Sequence, residues 1–353
     1  MRLLFFVDTI NRTSGVERMA VSLANELCAR GFAIDIVVCG LDTKSSYSLD
    51  DRIGVHALGC LFHDRLRAVM RFWALVKVVR PDVIVNVMVS MGQISLPALM
   101  FLPKCPKIVT WEHFHLHAGS RLGYLFRLFS AWISDKTVVL TDRDKKAYPR
   151  MFLGKIERIY NFTVFKPGYL TREDKRIALS VGRLEDQKGY DLLLPIWKRV
   201  SGMVEGWRLR IVGDGRLEKV LKAQAEDLGI TDVVEFIPAN PDVMNYYRES
   251  SVYVMSSRFE GLPMVLIEAK ACGLACISFD CPNGPDEIIR DEKDGYVVPF
   301  GDLEQFVQKF LLLLSSERLR EMFGHDAVKD IQDRFLPERI VKEWEILLKK
   351  IRR

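Results

Sequence analysis

From residue 2 onward the chain alternates short apolar runs with amphipathic helical stretches. The runs fall at 2–7, 33–39, 82–88, 107–111 and 136–140, with helical patterns at about 16–31 and 62–80 between them. Strands covered on both faces read as continuous apolar runs, and parallel neighbours need a crossover helix, so this spacing predicts a doubly wound parallel sheet. A polar stretch at 161–168 carries Pro167 and Gly168, and a charged stretch at 171–176 follows. The alternation then restarts at 177–181, with a helix near 189–201 and strands near 209–212, 233–236, 251–255 and 275–279. Two Rossmann-like α/β domains are therefore expected, at residues 1–163 and 164–335, with a ligand site in the crevice between them. Residues 336–353 predict one more helix, whose apolar stripe of Ile340, Trp344, Leu347, Leu348 and Ile351 needs a partner surface and is expected to return to the first domain.

The 353 residues are enough for two ordinary cores. The apolar run at the start reaches Asp8 after five residues, too short for a signal peptide or a bilayer span, so it reads as a buried strand. Seven cysteines form no C-x-x-C pair and mostly sit in apolar runs, which favours structural thiols in a reducing cytoplasm. Cys272, Cys276 and Cys281 have no histidine near them and spread over a helix end, a strand and a loop, which argues against a metal cluster. The charge is uneven: residues 1–163 hold 22 Lys and Arg against 14 Asp and Glu, and the remainder is slightly acidic. An anionic partner should dock on the basic half.

Three motifs in the second half carry chemistry. After the strand at 251–255 comes Ser257-Arg258-Phe259-Glu260-Gly261-Leu262-Pro263-Met264-Val265-Leu266-Ile267-Glu268. Pro263 suits the first position of a helix, so the N–H groups that follow should form a diphosphate site, and Gly261 allows close approach. Glu260 and Glu268 would then stand roughly 7 to 8 Å apart along the helix axis, a separation that fits a sugar and a ribose at the two ends of a diphosphate. Gly182-Arg183-Leu184-Glu185-Asp186-Gln187-Lys188-Gly189 follows another strand, and Arg183 and Lys188 bring two cations to one loop, enough for a leaving nucleoside diphosphate. Gly213-Asp214-Gly215 is a strand-to-helix turn lacking the third glycine of a dinucleotide fingerprint, so a dehydrogenase is weakly supported.

These motifs resemble glycosyltransferase family 4, which carries E-G-x-P-x-x-x-x-E and G-R-L-x-x-x-K-G at these places. The resemblance implies a GT-B fold of two facing Rossmann-like domains and metal-independent, retaining transfer of a hexose or N-acetylhexosamine from a nucleotide-sugar, a UDP-sugar being favoured over a GDP-sugar. It implies that Glu260 contacts the donor sugar, that Glu268 contacts the ribose, and that Arg183 and Lys188 neutralise the diphosphate. Gly182, Gly213, Gly261, Leu262, Pro263, Met264 and Val265 would line the same donor site. Phe236-Ile237-Pro238 stands where the family usually has F-L-G, so Ile237 falls at the base; Pro238 removes an N–H there.

In the first half, Thr13-Ser14-Gly15-Val16-Glu17-Arg18 resembles the family's G-G-x-E-R, which makes Ser14 and Gly15 an acceptor or phosphate loop; helix entry is the simpler reading. Trp111-Glu112-His113 follows a strand, and His113 corresponds to the family's histidine facing the donor sugar. The alternating His115 and His117 are weak grounds for zinc. Two basic, apolar helices, 63–77 with Arg65, Arg67 and Arg71 and 121–129 with Arg121 and Arg127, are of the kind that lies on an anionic membrane. With the family this suggests a glycan acceptor, often carried on a polyprenyl diphosphate, and a peripheral place at the inner face of the cytoplasmic membrane. No cofactor, metal or nucleic-acid partner is expected. A GT-B sugar-nucleotide epimerase or hydrolase and a non-catalytic binding module are the alternatives; the former needs acid/base carboxylates around the sugar that the sequence does not reveal.

Overall fold

The computed structural model describes residues 1–60, 64–100, 105–117, 119–168, 175–240 and 242–352. His63 of the first basic helix, residues 171–174 of the expected linker and Arg353 of the expected terminal helix lie outside the described residues. Two compact units are present, Met1–Phe162 with Pro337–Arg353, and Thr163–Leu336.

In the first unit β1 (Arg2–Val7), α1 (Gly15–Ala29), β2 (Ala33–Val38), β3 (Gly54–Ala57), α2 (Arg65–Val79), β4 (Val83–Val87), α3 (Gly92–Leu99), β5 (Lys107–Trp111), α4 (Arg121–Ile133), β6 (Lys136–Val139), α5 (Asp142–Ala147) and β7 (Ile156–Arg158) follow in order. The seven strands pair in parallel in the order β3-β2-β1-β4-β5-β6-β7. Order reverses at β1, and right-handed crossovers therefore put α1 on one face and α2, α3 and α4 on the other. Leu3, Leu4, Phe5 and Phe6 of β1 are wholly buried, as a central strand covered on both faces requires, and the Phe6 ring lies 4.6 Å from that of Phe72 on α2.

In the second unit β8 (Ile177–Val181), α6 (Tyr190–Ser201), β9 (Arg208–Val212), α7 (Glu218–Asp227), β10 (Val234–Ile237), α8 (Met244–Glu249), β11 (Val252–Met255), α9 (Met264–Ala271), β12 (Ala275–Asp280), α10 (Pro285–Ile288), β13 (Gly295–Pro299), α11 (Leu303–Ser315) and α12 (Glu317–Arg334) build a six-stranded sheet. Its order is β10-β9-β8-β11-β12-β13, again all parallel, and it reverses at β8. The last helix, α13 (Pro337–Arg352), belongs to the first unit and packs on α1. Its expected stripe, Ile340, Trp344, Leu347, Leu348 and Ile351, is buried, and Trp344 meets Trp111 of β5 edge-on at 5.1 Å. The two parallel-sheet, Rossmann-like units are those of the GT-B fold. Among the described residues no helix is long and apolar enough to cross a membrane.

Candidate active site

In both units the switch in strand order collects loops at the carboxyl ends of neighbouring strands, where open α/β sheets bind ligands. In the second unit these are the loops after β8, β9, β11 and β12. The β8 loop runs from Gly182 to Gly189, with Arg183 exposed and Lys188 half-buried. The β11 loop holds Glu260, buried, before α9 begins at Met264.

The two loops are laced together. Lys188 Nζ donates to Glu260 Oε1 at 2.7 Å, Ser257 Oγ donates to the same oxygen at 2.6 Å, and Gln187 Nε2 reaches Glu260 Oε2 at 3.4 Å. Backbone and side chain reinforce the lacing: Arg258 N donates to Gln187 O at 2.7 Å and Ser256 Oγ to Lys188 O at 2.9 Å. Arg258 also holds Asp191 of α6 by two parallel bonds of 2.7 and 2.6 Å, the strong geometry for a guanidinium and a carboxylate. Arg183, exposed, donates to Gln187 Oε1 at 3.5 Å.

The β9 turn explains its glycine differently from the sequence reading. Gly213 has φ +153°, and a Cβ there would run into the carbonyl of Gly182. The residue is glycine so that the two strand-end loops can pack, whatever approaches from outside. Its N–H donates to Ile237 O at 2.9 Å, which fastens the end of β10 to the same cluster.

Pro263 is corrected by one place. It is the residue before α9, with ψ 95°, and Met264 is the first helical residue, because Pro263 has left the helical region of ψ. Met264 and Val265 therefore supply the opening N–H groups. Leu262, Pro263 and Met264 are buried, while Gly261 and Val265 are half-buried. Glu268, in the second turn, is buried and accepts from Tyr247 Oη at 2.9 Å, so it is no surface glutamate.

Several site residues escaped the sequence reading. Tyr247 of α8 is fully buried, with its ring 5.8 Å from that of Tyr253. The loop after β12 is Cys281-Pro282-Asn283-Gly284, and Glu260 N donates to Pro282 O at 3.2 Å. Gly284 has φ +110°, and a Cβ there would lie 2.5 Å from Pro263 Cδ and 2.8 Å from Gly261 O. This glycine lets the β12 loop brace the Glu260 loop. The signal was present in the sequence as Asn-Gly before Pro285 at a helix start.

In the first unit, Ser14 is the N-cap of α1 and bonds to Glu17, and both Ser14 and Gly15 are exposed. Ser14 makes no side-chain bond to the backbone of the first turn, and the helix entry is open to solvent. Trp111 ends β5, and the Glu112 and His113 side chains after it are buried. Glu112 Oε1 accepts the N–H groups of His113 and Phe114 at 3.1 and 3.0 Å, and Oε2 accepts from Arg127 Nε at 3.3 Å. Burial pushes the Glu112 carboxyl up to about 7 against the opposing pull of Arg127. Burial also drives the His113 imidazole down to about 3, so the ring is neutral at physiological pH, and its Nε2 has no hydrogen-bond partner among the described residues. The ring lies 4.5 Å from that of Trp111.

Arg127 is thereby corrected. Its side chain is 11% exposed and pinned on Glu112, so it does not face a membrane. Arg71 donates to the carbonyls of Leu58 and Gly59, just after β3, and remains exposed. Arg65, Arg67 and Arg121 are exposed. His117 stacks on Tyr124 at 5.0 Å, and His115 Nδ1 accepts from His117 N at 3.1 Å. Among the described residues no three His, Cys, Asp or Glu side chains gather to hold a metal ion.

Comparison with known proteins places the chain in a family. Residues 161–330 match the family model described as glycosyl transferases group 1, and residues 13–163 match that of glycosyltransferase family 4. Over 360 residues the chain is 33% identical to the amylovoran biosynthesis glycosyltransferase AmsD of Erwinia amylovora, covering 98% of this chain and 99% of that protein. It is 27% identical to a Campylobacter jejuni alpha-1,4-N-acetyl-D-galactosaminyltransferase whose name gives a diNAcBac-PP-undecaprenol-linked acceptor, across 100% of this chain and 99% of that one. The crystal structure of S. aureus TarM with fondaparinux, alpha-GlcNAc-glycerol and UDP has the same fold, with a TM-score of 0.83 at 14% identity over 98% of this chain and 99% of that one.

Proposed function

This chain belongs to the family 4 glycosyltransferases, and we propose that it transfers a hexose or N-acetylhexosamine from a UDP-sugar, with retention and without a metal, to a glycan carried on a polyprenyl diphosphate. The observation that carries the reading is the Glu260–Lys188 pair beside α9, with the buried Glu268 farther along the helix. Two carboxylates on one loop-to-helix element offer acceptors to a sugar and to a ribose, and the opening N–H groups of Met264 and Val265 lie between them for a diphosphate.

Retention is what the family resemblance implies. Both carboxylates are assigned to hydroxyl groups, which leaves no side chain assigned as nucleophile and sets aside a double displacement; the resemblance then implies that the acceptor attacks on the face the diphosphate leaves, through an ion-pair-like transition state. Arg183 and Lys188 stabilise the departing charge; Lys188 gives up Glu260 for the diphosphate when donor binds. His113, neutral and with Nε2 unpartnered among the described residues, is assigned the role the family resemblance gives it. Metal independence follows from the two cations, which supply the charge that a divalent ion would otherwise bring.

The acceptor class is taken from the lipid-linked acceptor in the Campylobacter enzyme's name and from the basic first unit, which suits the anionic inner face of a cytoplasmic membrane. Incubation with a panel of UDP- and GDP-sugars, with and without polyprenyl-diphosphate glycans, tests the whole reading by released nucleotide. UDP should raise the melting temperature, nucleotide release should need the acceptor, and EDTA should not abolish it. Absence of any shift with UDP or GDP, together with no nucleotide release, overturns the proposal.

A further inference from the structure

Helix α4 turns an apolar side to the solvent. Leu122, Leu125, Phe129, Trp132 and Ile133 are 78, 58, 47, 62 and 39% exposed. At about 100° per residue they share an arc of roughly 100° around the helix. The other side is already seated: Ser130 and Ala131 are buried, Thr110 of β5 bonds Ser130 and the following Ser134, and Arg127 holds Glu112. The exposed stripe is therefore not the side the fold uses. Beyond the helix, Lys155 Nζ donates to the carbonyls of Trp132 and Ser134, which sets the turn at 150–155 against its end. Met151 and Leu153 of that turn are 80 and 40% exposed and extend the apolar surface. A contiguous patch of this kind on a monomer marks an interaction face.

Charge indicates what covers it. Helix α4 contains no acidic residue, and residues 121–155 hold eight Lys and Arg against three Asp. Of the three, Asp135 pairs with Lys107 at 2.9 Å, Asp142 with Arg158 at 3.5 Å, and Asp144 is buried. Exposed Arg121 and Arg150 lie at the start of α4 and in the turn at its end. Helix α2 shares this face of the sheet and exposes Leu66 and Met70 beside Arg65 and Arg67, the latter 3.9 Å from Asp64 at the start of the helix. An apolar stripe with Phe and Trp, edged by cations and with its neighbouring acids paired or buried, suits an anionic bilayer surface.

We propose that α4 is a membrane-docking helix, its Leu122, Leu125, Phe129 and Trp132 side chains entering the apolar boundary of an anionic bilayer while Arg121 and Arg150 stay among the headgroup phosphates. The inference rests on the reading that the acceptor is membrane-borne, and it assigns the contact to an apolar stripe in place of the arginines of α2. On this geometry Arg127 belongs to the protein side of the helix.

The test is co-sedimentation with vesicles of phosphatidylglycerol and phosphatidylcholine in equal parts, and of phosphatidylcholine alone. Wild type should bind the anionic vesicles, and about 0.5 M salt should release much of it. The triple variant L125S/F129S/W132S should partition roughly a hundredfold more weakly, because three partly inserted apolar side chains are lost. It should keep the wild-type melting temperature, the wild-type UDP shift and transfer to a water-soluble acceptor. R121E/R150E should lose binding to the anionic vesicles alone. Normal vesicle binding by the triple variant overturns the proposal. So does wild type that ignores anionic vesicles while still shifting with UDP, which leaves the face to a protein partner. A wild-type dimer that the triple variant makes monomeric overturns it too, since a second copy is then the occupant. If UDP neither binds nor is released while vesicle binding behaves as stated, the catalytic reading fails and the docking helix stands.

Discussion

Lys188 Nζ lies 2.7 Å from Glu260 Oε1, so in the free protein the cation assigned to the leaving diphosphate and the carboxylate assigned to the sugar neutralise each other. Both side chains are largely removed from water, at 15 and 7% exposure. The pair keeps a buried carboxylate satisfied until donor arrives, and Ser257, on the same oxygen, holds that carboxylate in place when Lys188 moves away.

Replacing Lys188 or Arg183 by Ala should each lower kcat at least about a hundredfold, the scale of losing one donor to a developing negative charge. The two variants should differ in stability. Arg183 is exposed and should be silent in a melt, whereas Lys188→Ala strands Glu260 and should lower the melting temperature. Glu260→Gln in the Lys188→Ala background should recover part of that loss, since coupled neighbours are not additive. Steady-state kinetics and thermal denaturation of the four proteins check both points; a silent Lys188→Ala melt would mean that the pair is not formed in solution.

Glu268 should behave as a binding residue and Glu260 as a turnover residue. The proposed ribose contact would persist through the reaction, so Glu268→Ala should raise donor KM with kcat nearly kept, while Glu260→Ala should mainly lower kcat. Tyr247 extends the prediction to a residue that touches no donor. Its hydroxyl bonds Glu268 Oε2 at 2.9 Å inside the protein, and losing a hydrogen bond to a charged group costs about 1.5 kcal/mol. Tyr247→Phe should therefore raise donor KM roughly tenfold and leave kcat close to wild type. A fall in kcat at unchanged KM would remove Tyr247 from the positioning of Glu268.

The motif residues were legible because they combine a strand end, a glycine or proline and a charge at fixed spacing. What the sequence hid falls into two kinds. β3, β7 and β13 are edge strands of their sheets, short and broken or bounded by glycine, proline or polar residues, so they carry no apolar run of strand length. Their sequences Gly-Val-His-Ala, Ile-Glu-Arg and Gly-Tyr-Val-Val-Pro read as loop. Tyr247 and Gln187 owe their roles to contacts 21 and 73 residues away, which no local pattern encodes. Arg127 failed for a related reason. A cation on an apolar helix reads as a membrane contact until its partner, Glu112 on a neighbouring strand end, is in view.

Glu112 should leave a mark on stability against pH. Its carboxyl titrates near 4.5 without the fold and is pushed up to about 7 by burial, so its favourable contribution is complete below about 4.5 and is lost as pH rises through 7. Glu112→Gln has no such titration. Between pH 5 and 8 the variant should gain on wild type by up to roughly 3 kcal/mol, whatever constant offset the lost Arg127 contact adds. Urea unfolding across that range measures the difference, and parallel curves would show a carboxyl that titrates normally.

Lys270 shows how firmly α9, and with it Glu268, is anchored. It has no exposed surface, and its Nζ sits 2.9 Å from Asp294 Oδ1 and 2.7 Å from Asp330 Oδ2, two carboxylates that are themselves buried. Arg290 and Arg334 complete the network from its rim, at 2.6 Å from Asp294 and 2.5 Å from Asp330. Without Lys270 each acid keeps a rim arginine but loses its buried donor, and losing hydrogen bonds to charged buried groups costs about 1.5 to 3 kcal/mol. Lys270→Met should therefore lower the unfolding free energy by that order. Because Lys270 lies two residues beyond Glu268 on the same short helix, the variant should also bind donor more weakly in the protein that remains folded. Removing the opposing acids at the same time, in Lys270→Met with Asp294→Asn and Asp330→Asn, should recover much of the stability, since neutral amides no longer need a buried cation. A Lys270→Met protein as stable as wild type would mean that water reaches these carboxylates and that α9 is held by its apolar face alone.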